Sequence, residues 1–354
     1  MTTAHPTAAT LAVTALGIVA PGVDGPAAAL RPESTAEDWF DLATALPGRG
    51  YKKVPAAGQY LLAAARAALA ADDTAVTTAG PERTGVVVGT NNAGAGVLES
   101  MDRTIIDAGA EELSPARAPF MAMSLFASRL STEHRINGFN LTTNSPATAG
   151  LDALGVAARA LVTGRASVLL VGAVEAPPPQ DRFTGPADRG AAVLICESST
   201  SAAARGARVY GYCAARSAFL DPVAPDAAPA LERLLCDASA VAGPDARPDV
   251  AEWGDAVVDA VLDNSPVGMA VAEWLAAHVP PGLLTVTRTV PDAGCLTPIR
   301  LLVGHLATTS RPDTAAESRS AMTVAPRRLI LTASPHGNLA AVTLTGGSGS
   351  HDGN

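Results

Sequence analysis

The residues best placed for chemistry sit where the strand-like run Phe139–Thr143 turns through Asn144–Thr148 into a small-residue helix, Ala149–Val162. Leu151, Leu154, Val156, Ala158, Leu161 and Val162 recur at helical spacing, and Ser167–Val171 follows as a short buried strand. A residue in such a turn stands at the helix N-terminus, where free backbone N–H groups and the macrodipole favour an anionic nucleophile or an oxyanion. Two hydroxyls, Ser145 and Thr148, lie in the turn, and a Ser nucleophile needs a base within hydrogen-bond reach. The chain has six histidines: His5, His134, His278, His305, His336 and His351. Cys295 opens a second helical stretch, where a lowered thiol pKa and a small buried residue are both open readings, the second favoured.

Other chemistries find no pattern. The segment Thr90–Gly96 (TNNAGAG) after the strand Arg83–Gly89 is Gly-rich, yet lacks G-x-x-x-x-G-K-[ST] and G-x-G-x-x-G, so its glycines read as turn and packing residues. Cys196, Cys213, Cys236 and Cys295 form no C-x-x-C pair; they read as reduced, mostly buried thiols, with no metal site and no cofactor expected. Net charge is −9, which argues against a nucleic-acid-binding surface. No apolar run reaches membrane-spanning length and no export signal opens the chain, so no membrane association and a cytoplasmic location are expected.

The elements that must position these groups come next. With 354 residues, 48% of them hydrophobic and 17% charged, the chain can bury a large core in one big domain or two fused halves. Leu11–Pro21 reads as a first buried strand, Val54–Ala71 as an Ala/Leu helix and Met121–Leu130 as another. Val193–Glu197, Arg205–Ala215, Asp255–Val261 and Leu284–Arg288 read as further strands, with a helix at Leu296–Leu306. Strand–helix alternation in both halves suits two βαβαβ units sharing a core.

The block Gly138–Glu175 resembles the nucleophile region of β-ketoacyl synthases, condensing enzymes of the thiolase fold. In that family a turn carries the acylated Cys, a Gly-containing helix follows, and the next strand ends in Gly-Gly-x-Glu. Gly138, Gly150, Gly155, Gly164, Ala166, Gly172 and Glu175 keep the spacing, with Gly172-Ala173 in place of Gly-Gly. The resemblance runs without a gap from Gly89 to Gly138, through Ser114-Pro115 and Pro119, and resumes at Asp188-Arg189-Gly190-Ala191 after a loop shortened by roughly two dozen residues. It implies an α/β, thiolase-like fold of two βαβαβ halves layered α-β-α-β-α. The halves would be residues 1–204 (β-ketoacyl synthase N-like) and 205–345 (C-like), with a flexible, Gly/Ser-rich tail at 346–354.

Carried over by position, the family's Cys falls on Ala147 and the first catalytic His on Val261, ahead of Pro266-x-Gly268. The loop bearing the second His has collapsed to Val290-Pro291-Asp292, with Thr287-Arg288-Thr289 where the family has Thr-Lys-Ser and Arg288 holding the shortened loop. Gly304-His305 copies the Gly-His dipeptide at the far end of the helix, where a surface histidine is expected. Ala333–Asn338 is a shortened form of the C-terminal Gly-rich motif; it brings His336 toward the nucleophile turn, where a solvated or capping loop residue is the expectation. A methyl group cannot attack a thioester and an isopropyl group cannot hydrogen-bond an enolate oxygen.

Losing the nucleophile and both histidines together resembles the chain-length factor, the ketosynthase-β subunit of type II polyketide synthases. That resemblance implies a subunit without catalysis of its own, in a heterodimer with a catalytic ketosynthase, meeting acyl carrier protein through the complex. It implies a dimer-interface strand, Phe139, Asn140, Leu141, Thr142 and Thr143, and acyl-tunnel positions at Leu98, Met101, Ala116, Arg117 and Met121. Ala147, where aromatic-polyketide members carry Gln, and the short loops lean toward systems making highly reduced or polyene chains. A stand-alone ketosynthase-like decarboxylase or acyltransferase, and a homodimeric scaffold, are the rival classes.

Overall fold

The structure, a computed structural model, describes residues 10–33, 38–115, 118–178, 185–239, 256–309 and 327–346. The first half runs β1 (Leu11–Val19), α1 (Leu42–Ala45), α2 (Ala56–Ala71), α3 (Thr74–Ala79), β2 (Thr84–Thr90), α4 (Ala95–Ala108), α5 (Ser124–Glu133), β3 (Asn140–Asn144), α6 (Ala149–Val162), β4 (Val168–Glu175), β5 (Gly190–Glu197) and α7 (Ser199–Ala204). The second half runs β6 (Gly211–Phe219), α8 (Ala227–Ser239), β7 (Val257–Leu262), α9 (Pro266–His278), β8 (Leu284–Arg288), α10 (Leu296–Thr309), β9 (Arg328–Ala333) and β10 (Asn338–Gly346).

The strands are ordered β3-β2-β4-β5-β1-β6-β10-β9-β7-β8. Read outward from the β1–β6 junction, each half is the same pattern. Its first strand leads to an antiparallel neighbour, then three parallel strands, with the third-last strand of the half at the outer edge. Chain order makes α10 the counterpart of α6, and β7 and β8 the counterparts of β2 and β3.

Burial sorts the helices into layers. The Val, Leu and Ala faces of α6 and α10 pack with β1, β4, β5, β6 and β10 in one core between the two halves. A second core joins the opposite face of the first half's strands to α2 and α5, and a third joins the second half's strands to α8 and α9. The result is the α-β-α-β-α layering of a thiolase-like fold, with strands β1, β2, β4 and β5 buried on both faces, as near-continuous Val/Leu/Ala runs require.

Several sequence boundaries shift. The predicted interface strand starts one residue later, at Asn140; Phe139 contributes its carbonyl to Val86 N (2.7 Å) and packs against the central core. The predicted helix Met121–Leu130 begins instead as a 3-10 turn, Ala118–Met121, and becomes α-helical at Ser124. Strand β4 continues four residues past Val171, because Gly172–Glu175 pair with Gly190–Val193 of β5. Residues 347–354 of the predicted tail, with Ala116 and Arg117, lie outside the described residues, whereas Gly346 ends β10. Cys196, Cys213 and Cys295 are free and buried.

Candidate functional site

Ala147 stands in the turn between β3 and α6 with φ +58°, a left-handed backbone rare for a residue with a Cβ. Pro146 and Thr148 complete a tight turn (Thr148 N to Pro146 O, 2.6 Å), and the first turn of α6 closes behind it with Ala149 N on Ser145 O, 3.3 Å. The elbow that would present a nucleophile is therefore fully formed around a methyl group. Its hydroxyl neighbours are not activated: Ser145 Oγ accepts from Thr148 Oγ1 (2.8 Å) and from Asn338 Nδ2 (3.3 Å), and neither is a base.

Asn338 belongs to the Ser334–Asn338 turn joining β9 to β10, so the C-terminal motif does reach the nucleophile turn, as its sequence implies. His336 does not make that contact. It lies exposed at the tip, its backbone N–H donating to Ser334 Oγ (3.2 Å).

The loop at Val290–Gly294 sits over the same end of the molecule. Asn92 Nδ2 donates to the Asp292 carbonyl (2.7 Å), Asp188 N donates to the Ala293 carbonyl (2.7 Å), and Asp292 itself is left-handed at φ +61°. Asp188 caps α10 from outside, its carboxylate accepting from Leu296 N, Thr297 N and Thr297 Oγ1 at 2.6–2.9 Å. These bonds tie the Val290–Gly294 loop to Asn92 and Asp188.

Beneath them lies Glu175, fully buried at the end of β4. Its carboxylate accepts three backbone amides from two loops: Asn91 N (2.7 Å), Asn92 N (2.7 Å) and Cys295 N (3.0 Å). Desolvation outweighs those donors and pushes its pKa up to about 7, with the neighbouring Asp188 carboxylate adding to the rise. Burial raises Asp188 as well. Gly294, at φ +130°, passes between the two acids. A Cβ there would stand 2.7 Å from Asp188 Cβ and 3.0 Å from Glu175 Cγ. Cys295 is closed off by the same packing; burial, then the Glu175 carboxylate, drive its thiol well above the ordinary value, the opposite of an activated helix-start cysteine.

Val261 is buried near the end of β7, its carbonyl accepting from Thr332 Oγ1 (2.9 Å). The loop after it is held by capping bonds. Asp263 Oδ1 accepts from Ser265 N (2.9 Å) and Oγ (2.5 Å), and Ser265 Oγ accepts from Gly268 N at the start of α9 (3.1 Å). Arg288 Nη1 donates to the Asp263 carbonyl (3.0 Å), so it braces this loop rather than Val290–Asp292, the shortened loop the sequence assigns to it.

The expected surface histidine is a correction. His305 is buried on α10, its Nε2 3.0 Å from Asp259 Oδ2, which also accepts Arg328 Nη1 at 2.6 Å. A cavity of about 160 Å³ opens beside it, lined by Tyr210, Arg328 and Thr345 among others.

The tunnel positions divide. Met101 is buried in α4, whereas Leu98 is 39% and Met121 49% exposed. Sequence reasoning passed over Glu175 and Asp188 as the groups organising the site. A charged residue ending a buried strand was the available signal.

Residues 34–215, more than half of the chain, match the model of the β-ketoacyl synthase N-terminal domain. The chain belongs to the β-ketoacyl synthase family. It is 28% identical over 193 residues to 3-oxoacyl-[acyl-carrier-protein] synthase 2 of Rhizobium meliloti (strain 1021), covering 43% of this chain and 46% of that protein. It is 28% identical over 215 residues to the actinorhodin polyketide putative beta-ketoacyl synthase 1 of Streptomyces coelicolor (strain ATCC BAA-471 / A3(2) / M145), covering 51% and 46%. The matches span about half the length of these relatives. Among solved structures it is similar to the ishigamide ketosynthase/chain length factor (TM-score 0.70, 23% identity, 95% of this chain and 99% of that one). It is also similar to a chain of AntDE:AntF, described as a type II PKS acyl-carrier protein in complex with its ketosynthase (TM-score 0.68, 18% identity, 96% and 99%). At such identities these two likenesses establish the fold.

Proposed function

We propose that this chain is a non-catalytic chain-length factor. In this reading it pairs with a catalytic ketosynthase of a type II polyketide synthase, of the highly reducing or polyene kind. It shapes the tunnel in which the partner's acyl chain grows and meets acyl carrier protein through the complex. It needs no cofactor and works in the cytoplasm; no helix among the described residues is long and apolar enough to cross a membrane.

The observation that carries the reading is Ala147: a complete, left-handed nucleophile elbow holding a methyl group, with a buried valine and a closed loop at the two family histidine positions. Two features support pairing. Strand β3 is an outer edge of the sheet, with Asn140 and Asn144 exposed and the residues between half-buried, and such an edge invites a strand from another chain. Helix α4 packs chiefly on the 3-10 turns Ala110–Glu112 and Ala118–Met121, and Leu98, Ile105, Ile106 and Met121 are exposed on these elements. An interface on the order of 2,000 Å² or more is expected.

The test is co-expression with a neighbouring intact ketosynthase, followed by a sizing column. A 1:1 complex, with the chain insoluble or self-associated when alone, is expected. A stable monomer indifferent to that ketosynthase would overturn the reading, and a homodimer would favour the scaffold class.

A further inference from the structure

Helix α10 connects two different places. At its head Cys295 lies against the start of α6, so close that a Cβ on Gly150 would stand 2.6 Å from the Cys295 carbonyl oxygen. His305 comes nine residues after Leu296, about 14 Å further along the helix. There the cavity of about 160 Å³ opens between the last turns of α10, the start of β9, the end of β10 and Tyr210, just ahead of β6. Gly211 and Gly346 are partners in the β6–β10 pairing at this point. A Cβ on Gly211 would stand 2.7 Å from Leu306 Cδ2 and 3.1 Å from the Thr345 carbonyl oxygen, so Leu306 keeps its place in the wall only beside a glycine.

The polar part of the wall is only partly used. Asp259, which does not line the cavity, holds His305 Nε2 (3.0 Å) and Arg328 Nη1 (2.6 Å) on one carboxylate oxygen. A guanidinium has five N–H donors in a planar fork that fits a carboxylate. Arg328 spends only Nη1 on Asp259; among the described residues its Nε and Nη2 have no hydrogen-bond partner. The hydroxyls of Tyr210 and Thr345 have none there either, and the Tyr210 ring is held by the Arg208 guanidinium, 4.5 Å from its centroid. The rest of the wall is largely hydrocarbon, from Leu306 and Leu344.

We infer that this cavity binds a short-chain monocarboxylate, its carboxylate on Arg328 and its hydrocarbon against Leu306 and Leu344. Size sets one limit. A cavity of about 150 Å³ holds a benzene-sized molecule, which corresponds here to an acid of about four carbons and excludes a nucleotide or a sugar phosphate. Charge sets the other. A single guanidinium already shared with Asp259 can balance one further negative charge, and a buried dianion would be left without a counter-charge. None of these groups belongs to the Ala147 elbow, so the site goes beyond the chain-length reading and does not depend on it.

Thermal melts of the purified chain, in whatever assembly it forms, test this with sodium butyrate against sodium chloride of equal ionic strength. Butyrate at about 50 mM should raise Tm by about 2–5 °C, as a Kd on the order of 1 mM gives. Arg328→Gln should weaken binding by about tenfold or more. Because that change also leaves Asp259 without its arginine, Thr345→Trp is the second variant. Thr345 is an exposed residue of the rim, so the added bulk should keep the parent Tm without ligand and abolish the butyrate shift. Four outcomes overturn the inference. They are no shift with butyrate, an equal shift with butan-1-ol, an equal shift with inorganic phosphate, and an undiminished butyrate shift in Thr345→Trp.

Discussion

The backbone amide of Cys295, at the start of α10, donates to the carboxylate of Glu175, 3.0 Å away at the end of β4. The same carboxylate holds Asn91 and Asn92, so a single buried acid ties the loop after β2 to the head of α10. Glu175 is thus the keystone of the loops that meet at this end of the sheet.

Its protonation gives the first prediction. Raised from 4.5 to about 7, Glu175 binds its proton more tightly in the folded protein than in the unfolded one. Stability contributed by this group is therefore full below pH 4.5 and is lost as pH rises toward 7, by an amount on the order of 3 kcal/mol. Asp188 pushes in the same direction. Urea midpoints at pH 5 and pH 7.5 should show the decline, and Glu175→Gln should flatten it while costing about 1–3 kcal/mol at pH 5 through a lost acceptor. A variant with an undiminished pH slope would remove Glu175 from this role.

The left-handed Ala147 gives the second. Ala147→Gly relieves the Cβ strain and should stabilise by about 0.5–1 kcal/mol, whereas Ala147→Val should destabilise. Ala147→Cys restores a sulfur at the helix N-terminus without either histidine. Iodoacetamide should alkylate it, read by mass spectrometry, and on the chain-length reading condensation with the partner ketosynthase's own Cys removed should stay at background. Measurable chain extension would expose a catalytic group hidden from this site.

Much of the scaffold was legible because its periodicities are local. The helix Ala149–Val162 and the strand Leu284–Arg288 fall at their predicted ends, and β1 begins where Leu11 begins. The elbow was legible through glycine spacing, which fixes where β3 must turn. What escaped depends on partners far along the chain. Glu175 reads as a charged strand end until its amides arrive from Asn91, Asn92 and Cys295, and His305 reads as a surface residue until Asp259 and Arg328 converge on it.

That cluster carries the third prediction. Asp259 lies below its ordinary pKa despite the opposing pull of burial, because His305 and Arg328 hydrogen-bond its charged form. Its stabilisation is present above about pH 4 and lost as pH falls through the lowered folded value. Asp259→Asn should cost about 2–3 kcal/mol at pH 7, by leaving Arg328 without its counter-charge. The gap to the parent should narrow below pH 4. Thermal melts of both proteins at pH 7 and pH 3.5 measure it, and a pH-independent gap would mean that packing rather than charge holds the cluster.

The last prediction separates packing from tunnel shaping on α4. Met101 is 7% exposed, so Met101→Gly removes a buried side chain from a helix interior and should cost about 3–5 kcal/mol before it can lengthen any product. Leu98 and Met121 are exposed on α4 and on the 3-10 turn Ala118–Met121, where added bulk displaces no core. On the chain-length reading, Leu98→Trp and Met121→Trp should shorten the products of the reconstituted complex and leave its sizing profile unchanged, because a wall that advances stops a growing chain sterically. Mass spectrometry of products released with ketosynthase and carrier protein present gives the readout. Unchanged lengths from both variants in an intact complex would mean that this face of α4 does not line the tunnel. Shorter products from Leu98→Trp alone would place the wall on the helix rather than on the 3-10 turn at Met121.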